Sequence, residues 1–380
     1  MNLSRRSLLA AALVATCAGS AGAQQGQPGT LVNQPKLRST EDMPTHLGGK
    51  SVTQWIEEIK SRDPSRRENA IRTVVMLKGS EAAVPALLGC IDPADPDVSP
   101  RAHAIMALGA IPFSQKDDVS KIVTAVTKRL YDNQSAVKFQ AALVLGRFGG
   151  KARPAKDDLI RASADMSSWE IRKAAVFSLT QAVADVAEPV YSRAIDALVA
   201  RMSPANEPSL AVRLEAVMSI ARIGKVSTLD HKKLAYGLAT AEKDHDSRVA
   251  IWARVGLAVH DNQLTKEDIS VLVKFLQSTD LPARTHAARA VGTIAALGNP
   301  VNEKGINLLL PAVPHLINML RKDAEELDHV AAIWALGRIG PDAKAALPRL
   351  NEMLADTNIS EEGKEFVKEA LQLIQAKGKK

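Results

Sequence analysis

Gly49-Lys50-Ser51 is the first place in the chain where residue types suggest chemistry. A Gly-Lys-Ser triplet ends the phosphate-binding loop, where backbone N–H groups cradle phosphates and the lysine reaches them. The earlier glycine of that loop would fall at position 44, which is Pro44. No strand is readable before it. The triplet, with Trp55, instead marks entry into a first helix, where Ser51 and Gln54 suit a capping box. The eight histidines offer no His-x3-His spacing, and the two cysteines no Cys-x2-Cys, the spacings that metal sites use. His245 and His260 fall far apart on one helix and read as solvated. No Gly-x-Ser-x-Gly elbow is present. Asp117-Asp118, Asp157-Asp158 and Glu325-Glu326 sit near helix starts, where the macrodipole favours negative charge. The sequence predicts no catalytic residue, no metal and no cofactor.

The elements behind these residues emerge from a repeat. A basic residue, an alanine three later and a small residue eight later recur along the chain. Copies begin at Arg67, Arg101, Lys138, Arg172, Arg213, Arg248, Arg284 and His329, about 34–45 residues apart, which is the period of a solenoid. Apolar positions three and four apart place each anchor on an amphipathic helix, the second of a pair. Repeat two shows this, with Arg101, Ala104, Ile105, Leu108 and Ile111 along a helix of roughly 97–111. Pro85, Pro314 and Pro348 fall inside the first helices and predict a shared kink. Asp63, Asp132, Asp244, Asp280, Asp323 and Asp356 fall at the turns, positioned to cap the second helices. Aromatics are only 3% of the 380 residues, so small aliphatic side chains must do the packing. The expected fold is all-α, an α-α superhelix of about nine helix pairs over 48–376.

Residues 1–23 read as an export signal: Arg5 and Arg6, an apolar run over 8–16, and Ala21-Gly22-Ala23 before cleavage. The stretch is too short for a membrane span. Ser4-Arg5-Arg6-Ser7-Leu8-Leu9 resembles a twin-arginine signal, and Cys17 loosely suggests a lipoprotein box. The expected location is the periplasm or cell envelope. Residues 24–47 read as a linker and 377–380 as a basic tail. After cleavage only Cys90 remains, in an apolar helical pattern that suits a buried small hydrophobe.

Ala104–Ile111, Ala141–Gly149, Ala287–Ile294 and Ala331–Gly340 carry a resemblance to HEAT repeats, especially the short Ala-rich phycobilin-lyase type. The resemblance implies second helices that line a concave surface. It also implies an Asp–Arg ladder between neighbouring repeats, with Asp63 and Arg67, Asp97 and Arg101, Asp244 and Arg248 in that role and Arg284 continuing it. Lys138 and His329 depart from the pattern. The di-iron hydroxylases of this fold use His-Glu pairs, and this chain has none. Basic and acidic residues alternate and the formal charge is +7, without the basic block that nucleic acid requires.

Positions two, five and nine after each anchor share one helical face. That face includes Arg72, His103, Phe177, Arg222, His286, Arg289 and Trp334, a mixture that suits a groove for a protein or peptide partner. The same pattern also suits burial between repeats. The sequence therefore predicts a non-catalytic exported scaffold. A chromophore-handling, lyase-like role and a purely structural spacer are the alternatives.

Overall fold

The computed structural model describes residues 43–91, 97–111, 116–183, 192–221, 228–261, 264–298, 300–301 and 305–376. The expected signal, most of the linker, the basic tail and Arg222 lie outside the described residues.

The unit Pro44–Lys380 begins with a two-stranded hairpin, β1 (His46–Leu47) and β2 (Lys50–Ser51), paired antiparallel. Gly48 and Gly49 make its turn at φ 55° and 75°, where a Cβ would be strained. Nine helix pairs follow among the described residues. They are α1 (Val52–Ile59) with α2 (Pro64–Val74), α3 (Val84–Cys90) with α4 (Val98–Ala110), and α5 (Lys116–Lys128) with α6 (Ser135–Arg147). Next come α7 (Lys156–Ala162) with α8 (Trp169–Val183), α9 (Ser192–Met202) with α10 (Leu210–Ile220), and α11 (Thr228–Ala241) with α12 (Ser247–Asp261). The last are α13 (Lys266–Leu276) with α14 (Leu281–Leu297), α15 (Val313–Asn318) with α16 (Glu326–Ile339), and α17 (Leu347–Ala355) with α18 (Glu361–Gln375). The fold is an all-α superhelix.

Local chemistry starts these helices. Ser51 and Gln54 form a reciprocal capping box on α1, and the Trp55 indole donates to Leu47 O at 3.1 Å, tying hairpin to helix. Asp63 caps α2 through Ser65 N, and Asp280 caps α14 through Ala283 N. The expected proline kink takes a different form. Pro85, Pro314 and Pro348 stand in the first turn of α3, α15 and α17, where a missing N–H breaks no helical bond. The bend lies just before them, in 3-10 turns over Ser80–Ala83, Leu310–Ala312 and Gly340–Ala346.

Each second helix packs directly on the next one, while most first helices touch their neighbours sparsely. The second helices therefore form the more closely packed layer of the stack. The alanine three after every anchor but Arg248, which has Ile251 there, is the floor of that contact. Ala70, Ala104, Ala141, Ala175, Ala216, Ala287 and Ala332 are all fully buried. Small residues eight after the anchor let the next helix approach. A Cβ on Gly109 would lie 2.8 Å from Val144, and one on Gly146 2.9 Å from Phe177. On Gly292 it would collide with the Trp334 ring. Cys90 is buried in α3.

Candidate functional site

The basic anchors build an inter-repeat ladder, and its rungs run one repeat further than the sequence pairs. Arg67 reaches Asp97, Arg101 reaches Asp132 at 3.1 Å, and Lys138 reaches Asp165 at 3.0 Å. Arg172 grips Glu207 with two hydrogen bonds of 2.7 and 2.8 Å, and Arg213 grips Asp244 at 2.7 Å. Four of these acids also accept a backbone N–H two residues on: Gln134 for Asp132, Ser167 for Asp165, Ser209 for Glu207, Asp246 for Asp244. The arginines meanwhile donate to carbonyls of their own turns, Arg67 to Ser61, Arg172 to Asp165 and Arg213 to Glu207. One guanidinium thus fixes its own turn and locks it to the next, using donors that a lysine lacks. Asp63 has no preceding repeat and serves as an N-cap.

Burial would raise the Glu207 carboxyl. The hydrogen bonds from Arg172 and Ser209, with the charges of Arg172 and Arg201, outweigh it and hold the group below its ordinary 4.5. Both side chains of this rung are buried, Arg172 at 3% and Glu207 at 0% exposure.

The ladder is interrupted at Arg248. Its guanidinium turns back onto Asp246 of its own turn at 2.6 and 2.8 Å. Arg284 resumes the pattern with Asp328, which also accepts from Thr285. His329 breaks it again, its ring nitrogen lying 2.7 Å from Arg321 O. The residues missed by sequence pairing are Asp132, Asp165, Glu207 and Asp328. Counting from each basic anchor to the acid of the following turn would have found the first three.

The predicted partner-binding residues divide into two groups. Phe177 and Trp334 are packed over Gly146 and Gly292 of the preceding repeat, so their rings fill inter-repeat contacts. His286 accepts from the Trp252 indole at its Nδ1, 2.9 Å away. An indole N–H only donates, so this nitrogen is unprotonated. Burial, then the charges of Arg289 and Arg248, push the His286 pKa from 6.5 to about 3, against a small opposing effect of Asp246. His286 is a packing residue. Arg289 is half-buried on the same turn of α14. His260, expected to be solvated, reaches back to Ile220 O at 3.0 Å and joins α12 to α10.

The first three repeats keep the face open. Arg72 is 67% exposed beside Glu68 at 3.7 Å, and His103 approaches the same carboxylate at 3.7 Å. Met76 and Met106 are exposed at 50% and 39%. Arg147 lays its stem against Gly109 and is exposed. Nearby atoms still desolvate it enough to lower its pKa. Among the described residues no carboxylate lies within ion-pair distance of it. The open face therefore offers two cations and two flexible thioethers on the second helices, whereas Met218, Ala253 and Thr293 are buried at the equivalent positions farther along.

Among the described residues no group of three or more His, Cys, Asp or Glu could hold a metal. Among them, too, no helix is long and apolar enough to cross a membrane. No curated protein matches the chain. Solved structures similar to it include the complex of CpcE and CpcF of phycocyanin lyase from Nostoc sp. PCC7120, at 18% identity and TM-score 0.42, covering 88% of this chain and 99% of that one. The Escherichia coli protein YibA is similar at 18% identity and TM-score 0.40, covering 83% and 99%. Kap95p, from its complex with RanGDP, is similar at 12% identity and TM-score 0.49, covering 85% of this chain and 47% of that one. Residues 94–180 match the family described as HEAT repeats, and residues 329–356 match the PBS lyase HEAT-like repeat. The matched segments, residues 94–180 and 329–356, are HEAT-type repeats.

Proposed function

We propose that the chain is an exported, non-catalytic scaffold that holds a protein or peptide partner on the second-helix face of its first three repeats. The carrying observation is the open strip of Arg72, Met76, Met106 and Arg147 on the second helices. Methionine adapts to varied apolar surfaces, and arginine is enriched where proteins meet. A solenoid supplies many modest contacts along such a strip. A photo-crosslinking residue at Met106 should capture a discrete partner from envelope extract. The same probe at Lys121, exposed on α5, should not. Equal labelling from both positions overturns the assignment of this face.

Export is part of the same reading and rests on residues 1–23. The mature protein is expected to begin at Gln24, and Arg5→Lys with Arg6→Lys should block its appearance if the twin-arginine route carries it. A chromophore-handling role is a second reading, favoured by the match of residues 329–356 to the PBS lyase HEAT-like repeat. It requires a visible absorption band in protein purified from its host.

A further inference from the structure

The two halves of a rung come apart at His329. In complete rungs one guanidinium donates both to its own turn and to the acid of the next. At this repeat the His329 ring serves the turn half, at Arg321 O. The acid half has, among the described residues, no ion-pair partner, and only the charges of Lys322 and Arg349 reach it. Asp356 caps its own turn, accepting from the Asn358 backbone at 2.9 Å and side-chain amide at 3.0 Å, as the rung acids do. Among the described residues, no cation lies within ion-pair distance of Asp356 or of Glu326. Arg349 is engaged by Leu320 O and Glu352.

A cleft of about 900 Å³ opens where the rung is missing, between α16, α17 and α18. Asp356, Glu326 and His329 line it, together with Lys322, Arg349 and Phe366. Phe366 is 47% exposed, among the few large apolar side chains left open.

We propose that this cleft is a docking site for an arginine side chain presented by a partner protein or peptide. The incoming guanidinium takes the position of the absent rung, donates to Asp356 and lies against the Phe366 ring. The chain itself supplies the template, since five of its arginines bind a carboxylate of the following repeat in this way. The planar fork suits a carboxylate and an aromatic face together, which a lysine ammonium matches less well. This site is separate from the open strip of the first three repeats and stands whether or not that strip binds a partner.

The test is calorimetric titration of the full chain with three capped pentapeptides, Ala-Ala-X-Ala-Ala, where X is arginine, lysine or citrulline. The arginine peptide should bind best and citrulline, which is uncharged, at least about tenfold more weakly, the loss expected for one charge-assisted contact. Asp356→Asn should weaken the arginine peptide by a similar factor. His329→Arg should abolish binding and raise Tm, because the chain then fills its own rung. That second variant adds a contact, so it keeps the test decisive if Asp356→Asn fails to fold. Equal binding of all three peptides overturns the proposal, as does full binding to His329→Arg. A chain lacking residues 377–380 that binds the arginine peptide at least about tenfold more tightly would make the chain's own basic end the occupant and overturn it too.

Discussion

From Arg67 to Asp244 every basic anchor is tied to the acid of the next turn, whereas from Arg248 onward, among the described residues, the ladder closes only once, between Arg284 and Asp328. The helix pairs are alike in both regions, and the buried alanine three after the anchor persists in the later one at Ala287 and Ala332. What changes is how the polar residues at the turns are used. A closed rung fixes the register between two repeats and leaves neither charge available. An open rung leaves groups that other chemistry can use, as at His286 with Trp252 and in the cleft beside His329. Hydrophobic packing of small residues thus builds the array, and the ladder decides where it is locked.

The comparison breaks most visibly at Glu207. Removing it leaves Arg172 buried without its partner, and breaking a buried pair typically costs about 3–5 kcal/mol. Glu207→Ala should therefore lower the denaturant midpoint more than any other turn acid. In a repeat array it should also separate the transition into two steps. A single transition at the wild-type midpoint would show that the ladder does not lock the array.

Packing comes next. Gly109→Leu forces a side chain into a contact where even a Cβ lies 2.8 Å from Val144. Overpacking of this kind costs about 1–3 kcal/mol. An unchanged Tm would remove the close-approach role assigned to the small residues.

Acid distinguishes the two regions by the pH at which each responds. The His286 pKa falls from 6.5 to about 3 on folding, so below 6.5 the unfolded chain takes up a proton that the native chain refuses. Stability then falls with decreasing pH, by at most about 1.4 kcal/mol per unit, until pH reaches about 3. Asp246, Arg248 and Arg289 face the ring, and Asp246 stays ionised through most of this window because its bonds to Arg248 hold it below 3.8. Glu207 responds later. Its depressed pKa adds stability that is complete above 4.5 and is lost as pH falls below that value. His286→Phe should flatten the slope between pH 6.5 and 4.5 and leave the steeper loss below it. An unaltered slope in that variant contradicts the buried neutral imidazole.

Much of this was legible in the sequence, for a physical reason. Helix packing at close range demands small residues at fixed positions, so Ala104, Gly109 and Ala141 announce the array without any structure. Of the turn acids, Asp63 and Asp280 were legible as helix caps, because capping is local, whereas Asp132, Asp244 and Asp356 brace their own turns ahead of the helix starts. The rungs were harder, because Arg67 meets an acid 30 residues away and nothing local distinguishes Asp97 from Asp63 as its partner. The face was only half legible. Helical spacing places Arg72, Phe177, His286 and Trp334 on one stripe, but whether a position is open depends on how closely the next repeat sits. Phe177 and Trp334 fill the space above glycines of the preceding repeat, and that relation crosses two repeats.

Asp244 and Asp246 give the smallest effect and the sharpest contrast. They are two residues apart in one turn. Asp244 closes a rung with Arg213, and Asp246 holds Arg248 within its own repeat. The Asp246 pair is partly exposed, with side chains 27% and 22% accessible. Such pairs contribute about 0–1 kcal/mol. Its removal also frees Arg248, whose guanidinium already feels the charge of Asp280 in the next turn. Asp246→Ala should therefore cost less than about 1 kcal/mol, and Asp280→Ala should cost more in that background than in the wild type, because a new rung has formed. Asp244→Ala, by contrast, leaves Arg213 without its acid and should cost several times as much. Equal costs at the two positions would mean that reaching the next repeat is worth no more than a bond within one turn.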